Sequence, residues 1–293
     1  CTDNCDMINN PNRYTYIVRC EDGSFYTGYA KDIIRRLREH YFHDSKCAKY
    51  TRSHQVVELM ALWVTDSSMV SMRLESRIKN LTRSEKEDLI QHPQKANDLL
   101  VKLKATVEWV CKENADRIFS IATSPFVIRE AKRNMIPLLQ EAVFVEAKEK
   151  MRESGNMNQW TGDYPSVKQL QKDMAYGNGY VVENREKVPV AYFFMSDKGE
   201  PTYRNIYDGK WIDDDARYAV IHRLASLKSV HGIAKLVFEW ASIHYTNIRI
   251  DTHRDNKPMQ HVVEQNGFKY CGIIHLENGD ERLAYQRIGY GIK

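Results

Sequence analysis

The stretch YTYIVRCEDGSFYTGYAKDIIRRLREH, residues 14–40, sets the architecture of the N-terminal part of the chain. Tyr14 to Cys20 is β-branched and aromatic, so it reads as a strand. Glu21-Asp22-Gly23 is turn chemistry with Asp-Gly at its centre, and Ser24 to Tyr29 returns as a second strand. Asp32 is placed to cap a helix running to about Tyr41, with Ile33, Ile34, Leu37 and Tyr41 as its buried stripe. Arg36 and His40 are four apart and share one helical face. If the helix folds back on its own strands, that face lies beside the hairpin tyrosines. Two phenols, a guanidinium and an imidazole then converge within one short unit.

These residues resemble the GIY-YIG nuclease family, most of all its small single-domain bacterial branch. The first motif is Tyr14-Thr15-Tyr16, with Tyr-Thr in place of Gly-Ile, and the second is Tyr26-Thr27-Gly28. The family arginine falls on Arg36, with His40 on the same helix. Leu74-Glu75-Ser76-Arg77-Ile78-Lys79 supplies the expected metal-binding carboxylate at Glu75. The likeness continues through Lys49-Tyr50-Thr51-Arg52 and Leu81 to Lys86, and spans residues 14–91. It implies metal-assisted phosphodiester hydrolysis of a nucleic acid, DNA in the first instance. Tyr16 or Tyr26 would activate or position water, Arg36 would stabilise charge on phosphorus, and Glu75 would hold Mg²⁺ or Mn²⁺. By itself Glu75 also reads as an exposed i,i+4 partner of Lys79.

A chain of 293 residues accommodates two domains. A net charge of +4 gives no overall polyanion signal, but residues 31–52 carry seven Lys or Arg against three acids. A patch of that size meets a phosphate backbone or forms a solvated helix face. The six cysteines, at 1, 5, 20, 47, 111 and 271, show neither a CxxC pair nor Cys/His zinc spacing, which predicts free thiols in a reducing cytoplasm. No apolar run approaches the roughly 18 residues of a membrane span, and no charged-then-apolar leader is read. Residues 1–13 are polar and are expected to form a disordered tail.

Val56 to Val64 predicts a third strand, and Asp66 opens a helix through Asn80. Thr82 to Glu85 is a T-x-x-E capping box for a short helix to about Ile90. Leu99, Leu100, Leu103, Val107, Val110 and Cys111 recur at helical spacing, so residues 92–124 are expected to be a connecting helix and linker. From residue 125 onward a second mixed α/β pattern begins. It has strands near 126–130, 179–182, 190–195, 219–226, 247–252, 268–276 and 282–288, and helices over 135–153, 167–176, 232–243 and 257–266. The expected fold class is α/β of the α+β type, in two domains, a small three-stranded sheet with helices and a larger mixed sheet flanked by helices.

A strand leading through a loop to a helix that starts at Gly232 is suited to holding phosphate at the helix N-terminus. Residues 126–293 resemble the GNAT N-acetyltransferase superfamily through Ile221-His222-Arg223, the segment Asn247 to Asn256, and Asn266 to Ile274. The resemblance implies acetyl-CoA as cofactor and a primary amine, on a small molecule or a protein terminus, as acceptor. The pantetheine arm would pair with Leu224, Ala225 and Ser226, and the pyrophosphate with Ser229, Val230, His231, Gly232, Ile233 and Ala234. Asn256 would contact the cofactor. His222 is the candidate base, and Trp160 and His253 are candidates for the acceptor pocket. The loop lacks the leading Arg or Gln of the family pattern and has Val230 where glycine is common. Val263 stands where a tyrosine acid is often found, which turns attention to Tyr270. Two further readings stay open: a nucleic-acid-binding module that does not cut and tethers an acetyltransferase, and a GNAT fold that has lost acetyl-CoA.

Overall fold

A computed structural model describes residues 12–289. Within it the chain divides into two compact units, one ending at Ser124 and the other running from Pro125 to Gly289. The expected tail lies outside the described residues up to residue 11, and Arg13 already belongs to the first strand. Among the described residues no helix is long and apolar enough to cross a membrane.

In the first unit β1 (Arg13–Cys20), β2 (Phe25–Ala30) and β3 (Val56–Thr65) are antiparallel, with β1 in the centre. The Asp22 carboxylate accepts hydrogen bonds from the Ser24 amide and hydroxyl, and Gly23 takes a positive φ, which closes the predicted hairpin. Helix α1 (Ile33–Tyr41) is capped by Asp32, whose side chain accepts from the Arg35 amide. Helix α2 (Ser68–Lys79) starts one residue later than predicted because Ser67, not Asp66, is its cap. Helix α3 (Arg83–Gln91) has the full capping box between Thr82 and Glu85. Ile17, Ala61 and Trp63 of the sheet form a core with Val70, Leu74 and Ile78 of α2.

Residues 93–123 are not a connector. Pro93–Leu103 forms a 3₁₀ helix, Glu108–Trp109 adds a short fourth strand β4 to the edge of β3, and Lys112–Thr123 is helix α4. Ala96, Leu100 and Val107 are buried in the core of the first unit. The Trp63 indole donates to the Pro93 carbonyl, and the Asn97 side chain brackets the backbone of Val107. The apolar spacing that suggests one helix is shared among three elements, because Lys104 takes a left-handed conformation and turns the chain.

The second unit is a seven-stranded sheet in the order β10-β11-β9-β8-β7-β6-β5. In chain order the strands are β5 (Val127–Glu130), β6 (Gly179–Glu183), β7 (Pro189–Ser196), β8 (Ala219–Ser226), β9 (Asn247–Thr252), β10 (Lys269–His275) and β11 (Glu281–Ile288). The predicted helix from Met135 is broken into α5 (Ile136–Leu138), a π turn (Leu139–Val143) and α6 (Phe144–Glu153). Helix α7 (Val167–Ala175), α8 (Ile233–His244) and α9 (Lys257–Gln265) follow the predicted positions. Helix α8 crosses from β8 to β9, and this pair alone among the described strand pairs is parallel, as a helical crossover requires. Val237, Phe238 and Ala241 of α8 pack on Phe193, Ile221, Ile248 and Ile250.

Candidate functional site

The hairpin and α1 build the first site. Tyr16 faces Gly28 across the β1–β2 ladder. A Cβ on residue 28 would lie 2.4 Å from the Tyr16 hydroxyl oxygen, so the glycine clears the space into which the ring leans. Tyr16 and His40 are fully buried. The Thr51 hydroxyl donates to the Ala48 carbonyl, which leaves its oxygen to accept from His40 Nδ1 at 2.6 Å. That assigns the proton to Nδ1, so Nε2 accepts the Tyr16 hydroxyl at 2.8 Å. Burial, helped by the charge on Arg36, lowers the His40 pKa to about 3, and the imidazole is neutral near pH 7. Burial also raises the Tyr16 pKa, an effect that Tyr26 reinforces and Arg36 opposes. The Tyr26 ring stands edge-on to His40 with centroids 5.2 Å apart.

Tyr26, Arg36 and Glu75 line one open cavity of about 530 Å³, next to the buried Tyr16–His40 pair. Arg36 is oriented by Glu39 Oε2 at 2.9 Å and the Lys46 carbonyl at 2.7 Å. Glu75 makes the predicted ion pair with Lys79, at 2.8 Å, and still reaches the cavity wall. Lys31, Arg35 and Lys46 also line this cavity, so the basic residues of 31–52 gather at the site. Arg38 does not join them, because it binds the carbonyls of Ala122 and Ser124. Among the described residues no group of three or more His, Cys, Asp or Glu side chains is arranged to hold a metal. A lone carboxylate suits Mg²⁺, which keeps most of its waters and takes its remaining oxygens from a phosphate. Thr51, which fixes the histidine tautomer, has no sequence signal beyond its place in the Lys49-to-Arg52 run.

The second site follows from the way β8 leaves its neighbours. Parallel pairing with β9 covers only Ala219 to Ile221. On the other side Ala225 pairs with Tyr192 and His222 with Phe194, so Arg223 and Leu224 together oppose Phe193 alone. This bulge places Arg223 at φ 54°. Its side chain holds the strained backbone in place: Nε and Nη2 donate to the two Asp173 oxygens at 3.0 and 2.8 Å, and the guanidinium lies over the Phe194 ring. Tyr192 donates to the same buried carboxylate. The strands part beyond Ile221 and Ile250, and a cavity of about 630 Å³ lies there.

His222, Leu224, Trp160 and Asn256 all line that cavity. His222 sits between two carboxylates, with Nε2 3.3 Å from Glu200 and Nδ1 3.4 Å from Asp251. Asp251 also accepts the Tyr203 hydroxyl at 2.7 Å. Burial works against ionisation of Glu200, but hydrogen bonding and charge from His222 outweigh it and hold its pKa below the usual carboxylate value. Asn256 caps α9 through the Met259 amide and donates to Gln159, so its side chain is already engaged. Ala225 and Ser226 pair with β7. The loop from Ser229 to Ala234 is not on the cavity wall. Val230, Ile233 and Ala234 pack on the core and His231 is exposed, while Gly232 at φ 76° opens α8 without a side-chain cap. The loop therefore offers backbone amides rather than side chains.

Two expectations are corrected. His253 lies not on this cavity but in an adjoining depression with Arg254 and Glu281. Tyr270 stacks edge-on against Tyr285 away from the cavity, so it is not placed to serve as the acid that Val263, buried in the core, does not supply. Glu200, Asp251 and Tyr203 are the functional neighbours that sequence reasoning missed. Asp251 falls inside the Asn247–Thr252 motif, whereas Glu200 and Tyr203 come from a short 3₁₀ turn, Pro201–Tyr203, and its cap.

Comparison with known proteins bears on both units. A profile of the GIY-YIG catalytic domain matches residues 12–88. A UPF0213 protein of Fusobacterium nucleatum is 46% identical over 80 residues, covering 27% of this chain and 78% of that protein. A UPF0213 protein of Halalkalibacterium halodurans is 44% identical over 79 residues, covering 27% and 82%. A crystal structure of a GNAT-family acetyltransferase from Streptococcus agalactiae is 31% identical with a TM-score of 0.50, covering 56% of this chain and 96% of that one.

Proposed function

Because the chain belongs to the GIY-YIG family through its N-terminal unit and to the GNAT acetyltransferase family through its C-terminal unit, we propose that it carries two activities, metal-dependent cleavage of a nucleic acid and transfer of an acetyl group from acetyl-CoA to a primary amine.

The first reading rests on the convergence of Tyr26, Arg36 and Glu75 on one cavity beside the Tyr16–His40 pair. Mg²⁺ held by Glu75 would stabilise the leaving oxygen of a phosphodiester. Tyr16 takes a proton from the attacking water as its own hydroxyl proton passes to His40 Nε2, so no free phenolate forms. Arg36, already oriented by Glu39, stabilises the added charge on phosphorus. Lys31, Arg35 and Lys46 bind the flanking phosphates. The test is cleavage of single- and double-stranded DNA and RNA with and without Mg²⁺. Cleavage that vanishes in Glu75→Ala while binding survives supports the reading. Binding without cleavage in the unmutated chain would leave a tether in place of a nuclease.

For the second reading the decisive feature is the splay of β8 from β9 over a cavity lined by His222. The strand edge from Arg223 onward, freed from β9, would pair with the pantetheine arm, and the first amides of α8 would take the pyrophosphate. His222 accepts a proton from the acceptor ammonium. The free amine would attack the thioester that acetyl-CoA supplies, and the proton its nitrogen loses as the C–N bond forms would pass to the CoA sulfur as the C–S bond breaks. One observation favours a GNAT fold without cofactor: the Lys228 amide at the loop entrance is already held by Glu146, and its ammonium by Glu149 and Glu153. Calorimetric titration of acetyl-CoA and CoA into the full chain separates the two. Micromolar binding weakened in Gly232→Pro supports the enzyme, and no binding at millimolar cofactor supports the alternative.

A further inference from the structure

The walls of the His222 cavity are unevenly charged. Glu200, Asp251, Glu277 and Asp280 bring four carboxylates to it, against two guanidiniums, Arg223 and Arg282. Arg223 is bound through Nε and Nη2 by Asp173, and Arg282 lies 3.7 Å from Asp280. His222 touches Glu200 and Asp251 from its two nitrogens, yet a neutral imidazole has one N–H and can satisfy one of them as a donor. Glu277 and Asp280 are exposed on the turn between β10 and β11, at another part of the wall. A second, independent feature marks the same cavity as built for a polar guest. Thr252 lines it and is only 1% exposed, but its hydroxyl oxygen has no hydrogen-bond partner. A buried polar atom left unpaired costs free energy unless something that binds there supplies the partner. The neighbouring depression shares Asn158 and Asp280 with the cavity, which gives an acceptor longer than a simple monoamine room to extend.

Resting on the acetyltransferase reading, we propose that the acceptor is an organic di- or polycation, with its reacting primary amine between Glu200, Asp251 and His222 and a second cationic group at Glu277 and Asp280. The first pair of carboxylates draws in the ammonium. His222 receives the proton that must leave before attack. The second pair selects for charge at a distance, so acceptors that are neutral or anionic away from the amine are excluded by repulsion and by unpaired carboxylates.

The probes are spermidine, as a polycation, and n-butylamine, as a monoamine of similar chain type, titrated calorimetrically into the full chain with and without CoA. Spermidine is expected to bind at least about tenfold more tightly, since one charge-assisted hydrogen bond is worth that much. Its advantage is expected to fall about tenfold in the Glu277→Gln/Asp280→Asn double variant, whose positions are exposed and tolerate the change. Equal affinities for the two amines would overturn the proposal, as would an undiminished spermidine advantage in the double variant. Acetyl-CoA titrated into the same samples reports separately on the acetyltransferase reading. Spermidine selectivity without acetyl-CoA binding would sink that reading and leave a polycation site. Acetyl-CoA binding without spermidine selectivity would sink the polycation proposal alone.

Discussion

His40 and His222 are both candidate proton acceptors, but they are held in opposite ways. His40 is fully buried, with Nδ1 held by the Thr51 hydroxyl and Nε2 by the Tyr16 phenol. His222 lines an open cavity and lies within reach of two carboxylates. A neutral, desolvated imidazole bonded to a phenol takes up a proton only while the phenol draws one from water. An imidazole in an open cavity, with a carboxylate near each ring nitrogen, lies where a substrate ammonium can reach it. The first arrangement suits activation of water beside an arginine, and the second suits taking a proton from an ammonium ion.

After the loss of cleavage expected in Glu75→Ala, the largest effect in the N-terminal site should come from Arg36. Arg36→Ala removes the guanidinium that faces the cavity and is expected to lower cleavage about 10²- to 10³-fold at saturating nucleic acid. Lys31, Arg35 and Lys46 remain, so affinity should fall much less. Single-turnover kinetics beside a binding titration check this. A loss of affinity as large as the loss of rate would make Arg36 a binding residue.

His222→Gln is expected to lower acetyl transfer about 10²-fold near neutral pH. That loss should shrink as the pH approaches the pKa of the amine, because the free base then exists without help. The pH profiles of kcat/KM for the two proteins are the measurement. A loss that is constant with pH would mean that His222 only spaces Glu200 from Asp251, and the contrast between the two histidines would disappear.

Those two predictions draw on sites of very different legibility. Four of the five N-terminal candidates fall within 25 residues, on a hairpin and the helix directly after it. Local rules therefore suffice: turn chemistry sets the register that opposes Tyr16 to Gly28, and the Asp32 cap sets the phase of the helix that presents Arg36 and His40. The C-terminal site is assembled from β8, β9, a 3₁₀ turn and the β10–β11 turn. The strands and α8 were readable from pattern, but the bulge at Arg223 depends on Asp173, 50 residues away, and no local signal marks that pair. The 93–123 segment failed for a related reason. Its apolar residues look like one helical stripe until Trp63 and Asn97 show which backbone groups they hold.

Acidification sharpens the contrast through stability. Histidine in an unfolded chain titrates near 6.5, and folded His40 at about 3. Between those values the unfolded chain binds more protons, so the contribution is complete above pH 6.5 and is lost as the pH falls toward 3. A drop to about pH 5 should remove about 2 kcal/mol from the first unit. Amide exchange at Tyr16, Ile17 and Val18, corrected for intrinsic rates, follows that unit directly. His40→Gln should flatten the slope, and an unchanged slope would place the titration elsewhere.

The smallest effect concerns Asn256, which separates a structural role from a cofactor role. Its Oδ1 accepts from the Met259 amide at 3.2 Å and its Nδ2 donates to Gln159 at 2.9 Å. Both bonds belong to the protein itself, so Asn256→Ala should cost about 1 kcal/mol, the usual loss for an N-cap. Asn256→Asp keeps the acceptor and should recover most of it. If the residue is a cap, the KM for acetyl-CoA should follow stability through both variants and return with Asp. A KM that rises in Asn256→Asp while the melting temperature is restored would mean that the amide nitrogen reaches the cofactor. Gln159 would then have to give up its bond when the cofactor binds.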